Sequence, residues 1–263
     1  MTTTLFLGDA PLTLDDMRAV ADCGQTVALG AQAQQAISAS FDFLLHSISA
    51  GKHIYGVTTG LGANVDTTLL HTQNDRHDED LLQAIQRRIP LARAVGVGQQ
   101  ATPAQVRAIM LARLAGFVQG ASGISLPVAQ ALLAFINEGI HPRVPLIGSI
   151  GEADLAPLAH IGCALIGDGE AEYQGTVAPV SALLNQTGLT PAPLRGKDGL
   201  ALVSSNAASV GLAALLLHDA SRLMNVHAGA ITLSFEAFRA NISPLTPWAA
   251  RMRPAPQQAR TAA

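Results

Sequence analysis

Apolar residues recur every three or four positions along most of this chain, the spacing that lays one face of an α-helix on a core. The stretch "AQAQQAISASFDFLLHSISAG" is one case, with Ile37, Phe41, Leu44, Leu45 and Ile48 on its apolar face and Gly51 as its end. Capping residues mark where helices begin and stop. Thr13 with Asp16 forms a capping-box signature before "LDDMRAVADC", and Gly24 closes that helix. Thr102, Pro103 and Gln105 supply the N-cap, first and third positions of "ATPAQVRAIMLARLAGFVQG". "LPVAQALLAFINEG" and "DLAPLAHIGCALIG" also read as helices, the second broken or kinked at Pro157. The longest periodic run covers residues 207–240 and is apolar on more than one face, as in a helix inside a bundle. Strand signals are few: "VALG" near 27, "HIYGV" near 54 and "AEYQG" near 173. They do not alternate with helices as a parallel sheet requires, so the chain reads as mostly helical.

Composition adds a surface to this picture. Charged residues make up 13% of the 263 residues and apolar ones 49%, against about a quarter charged in a typical soluble domain. So little charge predicts a protein that hides apolar surface by oligomerising. The net charge of −3 without a basic run gives no footprint for nucleic acid. No uninterrupted apolar stretch of membrane-spanning length and no signal peptide is read, which predicts a soluble, cytoplasmic protein with no membrane partner. Cys23 and Cys163 are expected as free buried thiols rather than a disulfide framework.

Two stretches can carry chemistry. "YGVTTGLG", Tyr55 to Gly62, is either a Gly-rich turn in which Tyr55 packs, or a mobile loop offering its phenol as a general acid or base. It has no lysine after the glycines, which argues against a phosphate-cradling loop. "GSIGEADLAPLAH", Gly148 to His160, is a turn in which Asp154 caps a helix, or part of a site. The histidines show no metal-ligand spacing, and no metal site is expected. Ser149 and Ser122 lack a histidine–aspartate arrangement that would make a hydrolase.

The order of "LTLDDMRAV", "YGVTTGLG", "GASG", "GSIGEADLAPLAHIG", "GKDGLALV" and "LSFEA" resembles the aromatic amino acid ammonia-lyases and their related aminomutases. The likeness covers roughly residues 11 to 260, while members of that family are about twice as long, so the chain looks like their N-terminal half. The resemblance implies an all-α fold: a small mixed N-terminal region with short strands over 1–196, holding the Tyr loop and the 148–160 stretch, then the start of a long-helix bundle over 197–263. It also implies a carbon–nitrogen lyase that deaminates an amino acid to an acrylate, with Tyr55 in proton removal.

The resemblance also exposes three departures. Family members carry Ala-Ser-Gly where this chain has Glu152-Ala153, one residue fewer and without a serine. That tripeptide cyclises and dehydrates into a methylidene-imidazolone, the family's self-made electrophile, so this cofactor is not expected to form here. Ser204, Ser205 and Asn206 stand where the family has Asn-Gly-Thr. Arg93, beside Ala92, falls at a position that reads the substrate side chain, and its cationic fork suits an anionic ligand. The expected catalytic residues are therefore Tyr55, Glu152 and Ser204, with Gly60, Gly62, Ala92, Arg93 and Asn206 binding a small amino-acid-like substrate. The family's sites are completed by several subunits, which implies a homo-oligomer or a complementary C-terminal chain as partner. Two readings stay open: a lyase-like enzyme without the usual electrophile, inactive as an isolated chain, and a non-catalytic relative that oligomerises or binds a ligand through the inherited scaffold.

Overall fold

The computed structural model describes residues 4–69, 76–151, 153–252 and 257. It divides into two compact units, Met1–Leu216 and Leu217–Ala263.

Helices dominate the first unit. β1 (Leu5–Leu7) pairs in parallel with β2 (Val27–Leu29) across α1 (Leu14–Cys23). The capping box of α1 is formed as its sequence predicts, with the Asp16 amide donating to the Thr13 hydroxyl and Gly24 closing the helix in the left-handed region. α2 (Ala31–Ser49) and α3 (Arg76–Leu91) follow, and the second capping box starts α4 (Pro103–Phe117) at Thr102. α4 is the centre of the unit. Val106, Ile109, Met110, Leu114 and Phe117 are all buried, so apolar side chains surround it rather than line one face.

α5 (Leu126–Glu138) ends at left-handed Gly139. α6 (Leu155–Leu165) is continuous, which corrects the expected break at Pro157. That proline sits in the first turn, where its missing N–H has no intrahelical partner to lose. The remaining helices are α7 (Val180–Thr187), α8 (Asp198–Val203), whose residues are all buried, and α9 (Ala207–Phe238). α9 starts against α4 at Gly211, where a Cβ would come within 2.7 Å of the Ala108 backbone.

The other strands are short. β3 (Val97–Gln100) pairs with β5 (Pro145–Ile147), and β6 (Glu170–Tyr173) lies between β4 (His141–Pro142) and β7 (Thr176–Pro179). "VALG" and "AEYQG" fall on β2 and β6, but "HIYGV" is no strand: Tyr55 makes a single bridge to Thr59 within a turn. The three amides of Val57, Thr58 and Thr59 converge on the Ile54 carbonyl, and that turn prevents extension.

Two expectations on exposure change. Both cysteines are free, but Cys23 is exposed and only Cys163 is buried. Residues Asp198–Phe238 do contain a window long and apolar enough to cross a membrane, contrary to the sequence reading, and half of that window is buried inside the protein. A core helix of a soluble protein passes the same test.

The second unit holds the rest of α9 and α10 (Pro247–Met252). Its large apolar side chains lie outside: Leu223, Met224, Val226, Leu233, Phe238 and Trp248 are all exposed.

Candidate active site

Four segments carry the residues singled out by sequence. In the first, Ile54–Leu69, the Thr58 hydroxyl accepts from the Ile54 amide at 2.7 Å and donates to the Lys52 carbonyl at 3.0 Å, which tightens the turn before Tyr55. Gly56 and Gly62 have positive φ, and at Gly60 the Asn64 carbonyl oxygen occupies the space of a Cβ. Tyr55 is half exposed, and its phenol oxygen accepts the Gly62 amide at 3.0 Å. Tyr55, Gly60 and Gly62 thus form one loop with the phenol folded over it.

The second segment is the turn after α3. Ala92 is exposed, and the Arg93 guanidinium donates to the Ile89 carbonyl in the last turn of α3 at 3.2 Å. The Gly96 amide donates to His160 Nε2 at 3.2 Å. Burial lowers the His160 pKa, which favours the neutral ring that this acceptor role requires.

The third and fourth segments meet at one carboxylate. Asp154 stands at the N-cap position of α6 but makes no cap bond there. Its Oδ2 accepts the Ser209 amide at 2.7 Å, in the first turn of α9. Its Oδ1 accepts the hydroxyls of Ser149 at 2.7 Å and of Ser209 at 2.9 Å, and its own amide donates to the Ser205 carbonyl at 2.8 Å. An aspartate placed to cap one helix caps another instead, where the macrodipole favours a negative charge. The two stretches that depart from the family pattern, 148–158 and 204–206, are therefore bonded to each other. Ser204 and Asn206 are exposed on this turn, and the Ser205 hydroxyl accepts the Ala207 amide at 3.0 Å. Glu152 lies outside the described residues.

Close packing links the segments further. Gly148 touches Gly96 and Ala156, where a Cβ would stand 3.2 Å and 2.8 Å away. Among the described residues, no hydrogen bond joins Tyr55, Arg93 and Ser204 to one another, and no group of His, Cys, Asp or Glu is arranged to hold a metal ion. The Ser149 hydroxyl is committed to Asp154, and among the described residues no hydrogen bond joins it to a histidine. Between Gly151 and Asp154 stand only Glu152 and Ala153, and the one serine of the stretch, Ser149, donates its hydroxyl to Asp154.

The family model for aromatic amino acid lyases matches residues 12–263. The chain belongs to the aromatic amino acid lyase family. A histidine ammonia-lyase of Treponema denticola is 39% identical over 253 residues, covering 96% of this lyase-family chain and 48% of the relative. One from Gloeobacter violaceus is 35% identical, covering 100% of this chain and 50% of the relative. The phenylalanine aminomutase of Pantoea agglomerans superposes with a TM-score of 0.88 at 30% identity, covering 98% of this chain and 48% of that one. The ergothionase of Treponema denticola, an ergothioneine-degrading enzyme solved with desmethyl-ergothioneine sulfonic acid, gives 0.87 at 30% identity, covering 99% and 51%. This member of the lyase family spans about half the length of the curated relatives it matches.

Sequence reasoning missed the target of Asp154, because Ser209 is remote along the chain. It also missed Gln86, a fully buried polar residue of α3, although a signal was there: Gln86 lies between Leu82 and Ile89 on the apolar stripe of its helix, and all three are buried.

Proposed function

We propose that this chain forms the Tyr55-bearing half of an ammonia-lyase-type site, which takes a small anionic amino-acid-like substrate and works without a methylidene-imidazolone. The observation that carries the reading is the Asp154 junction: the two segments that depart from the family pattern remain bonded through a buried carboxylate. In this reading a proton moves from the substrate carbon to the Tyr55 oxygen in its phenolate form, the electron pair left on carbon forms the double bond as the bond to the substrate's ammonium nitrogen breaks, and an acrylate and ammonia result. Glu152 and Ser204 add acid–base and hydrogen-bonding groups, and Gly60, Gly62, Ala92 and Asn206 bind the substrate with Arg93. Acid–base help of this kind is worth roughly 10²–10⁴-fold. A substrate with a more acidic proton or a better leaving group than an ordinary amino acid fits that limit. The ergothionase was solved with a sulfonic acid, which is in keeping with an anionic ligand in this reading.

The partner in this reading is a second copy or a complementary C-terminal chain, and the compartment is the cytoplasm. The exposed apolar side chains of the second unit support a covered face, and they equally favour the second reading, an oligomerising scaffold without catalysis.

The test is ammonia release from amino acids by the chain alone and co-expressed with a C-terminal half from a relative. The lyase reading expects no turnover alone and measurable turnover in the complex, abolished by Tyr55→Phe. A stable complex inert toward every amine tried would leave the scaffold reading. The intact mass should equal that of the unmodified sequence; loss of two waters would reveal the electrophile after all. Arg93→His should reverse the preference for anionic ligands in equilibrium binding, and unchanged selectivity would remove Arg93 from the pocket.

A further inference from the structure

Gln86 has none of its surface exposed, and its amide uses both ends. Nε2 donates to the Gly56 carbonyl at 2.8 Å, and Oε1 accepts the Leu200 amide at 3.2 Å. Gly56 follows Tyr55 in the chain, and Leu200 belongs to α8, whose C-cap residue is Ser204. One buried side chain therefore bridges the Tyr loop to the helix that leads into the Ser204–Ser209 turn.

The surroundings leave this amide one orientation. Turning it over would set its NH₂ against the Leu200 N–H and its oxygen against the Gly56 carbonyl, leaving two like pairs in a dry site. Backbones close in on both sides. A Cβ at Gly199 would collide with the Gln86 carbonyl, and one at Gly56 would stand 2.6 Å from Leu61 and 2.7 Å from Leu200. Among the described residues, the other hydrogen bonds of the Ile54–Leu69 loop stay within it or reach Lys52.

We infer that Gln86 is a positioning residue: its buried amide tethers the Tyr55 loop to α8 and thereby fixes where the phenol stands relative to the Ser204–Ser209 turn. Gln86 makes no hydrogen bond to the phenol itself and acts through the Gly56 carbonyl. The inference rests on the reading of Tyr55 as the proton-exchanging group only for its functional meaning, since the tether is a matter of loop geometry.

The chain has two tyrosines, Tyr55 in the loop and Tyr173 on β6, which makes the tether directly observable. The whole chain labelled with 3-fluorotyrosine should give two fluorine resonances, assigned by Tyr173→Phe. Gln86→Leu removes both bonds, whereas Gln86→Glu keeps the acceptor for Leu200 and loses the donor to Gly56. In each variant the Tyr55 line should broaden and lose most of its displacement from the denatured-chain position, while the Tyr173 line stays in place. A folded variant of either kind with an unmoved Tyr55 line overturns the tether. So does movement of both lines together, or loss of fold in both variants, either of which would make Gln86 a general core residue. A wild-type Tyr55 line already at the denatured position also overturns it. No turnover is needed, so the result is independent of the ammonia-release assay and separates failure of the tether from failure of the lyase reading.

Discussion

The region up to Leu216 and the region beyond it use the same apolar alphabet for opposite ends. In the first, apolar side chains enclose α4 and α8, and the buried carboxylates of Asp154 and Asp198 have their oxygens taken up by amides and hydroxyls. In the second, the same residue types point outward, with Phe238 85% exposed and Leu233 73%. The low charge content of the chain is thus explained twice over: by a closed core in one region and by an unpartnered surface in the other. A closed core resists change at its polar junctions. A region that presents apolar surface responds to change by altering its association.

The largest effect should come from breaking the junction of the first region. Asp154→Ala leaves the Ser209 amide and two hydroxyls without their acceptor, and hydrogen bonds to a charged group are worth about 1.5–3 kcal/mol each. Since they share one carboxylate they are not additive, and a loss of roughly 3–5 kcal/mol is expected. Urea unfolding followed by circular dichroism measures it. A change below about 1 kcal/mol would mean that water replaces the carboxylate without cost, and the contrast between the regions would lose its first half.

The second region should behave in the opposite way. The chain alone is expected to self-associate, and the pair Leu223→Glu with Met224→Glu should shift sedimentation toward a monomer. Substitutions at exposed positions typically change unfolding free energy by no more than about 0.5 kcal/mol. A wild-type chain that sediments as a single monomeric species at working concentrations would break this side of the comparison.

How much of this was legible beforehand follows from the range of each interaction. Caps are local, so Thr13 with Asp16, Thr102 with Pro103 and Gln105, and Gly24 read directly from neighbouring letters. The strands of two to four residues are too short to display alternation, and β1, β3, β4, β5 and β7 went unread for that reason. Tyr55 with its glycines was legible because the loop closes on itself through Gly62. The partners of Asp154 and Gln86 were not, because each is fixed by a fold that brings distant segments together. The bond between 148–158 and 204–206 likewise joins stretches remote along the chain, and no spacing in a single sequence could supply it.

Within the first region, a half-buried histidine and a buried carboxyl group should give a smaller, pH-dependent effect with opposite signs. Burial, and after it the nearby Arg107 guanidinium, lower the His141 pKa from 6.5 to about 4. Between those values the unfolded chain holds the proton that the folded one rejects, so His141 makes stability fall as pH drops from about 6.5 toward 4. Asp198 is raised from 3.8 to about 6 by burial, against the lowering effect of its bonds from Ser125 and Arg195. There the folded chain holds the extra proton, so stability is lost as pH rises through that window. Over the shared interval the two slopes oppose each other, and the wild-type urea midpoint should change little. His141→Gln removes one of them, and its midpoint should then decline from pH 4 to 6. A His141→Gln midpoint that instead rises across this interval would show that other carboxylates outweigh Asp198. His141 would then not be the group that offsets it.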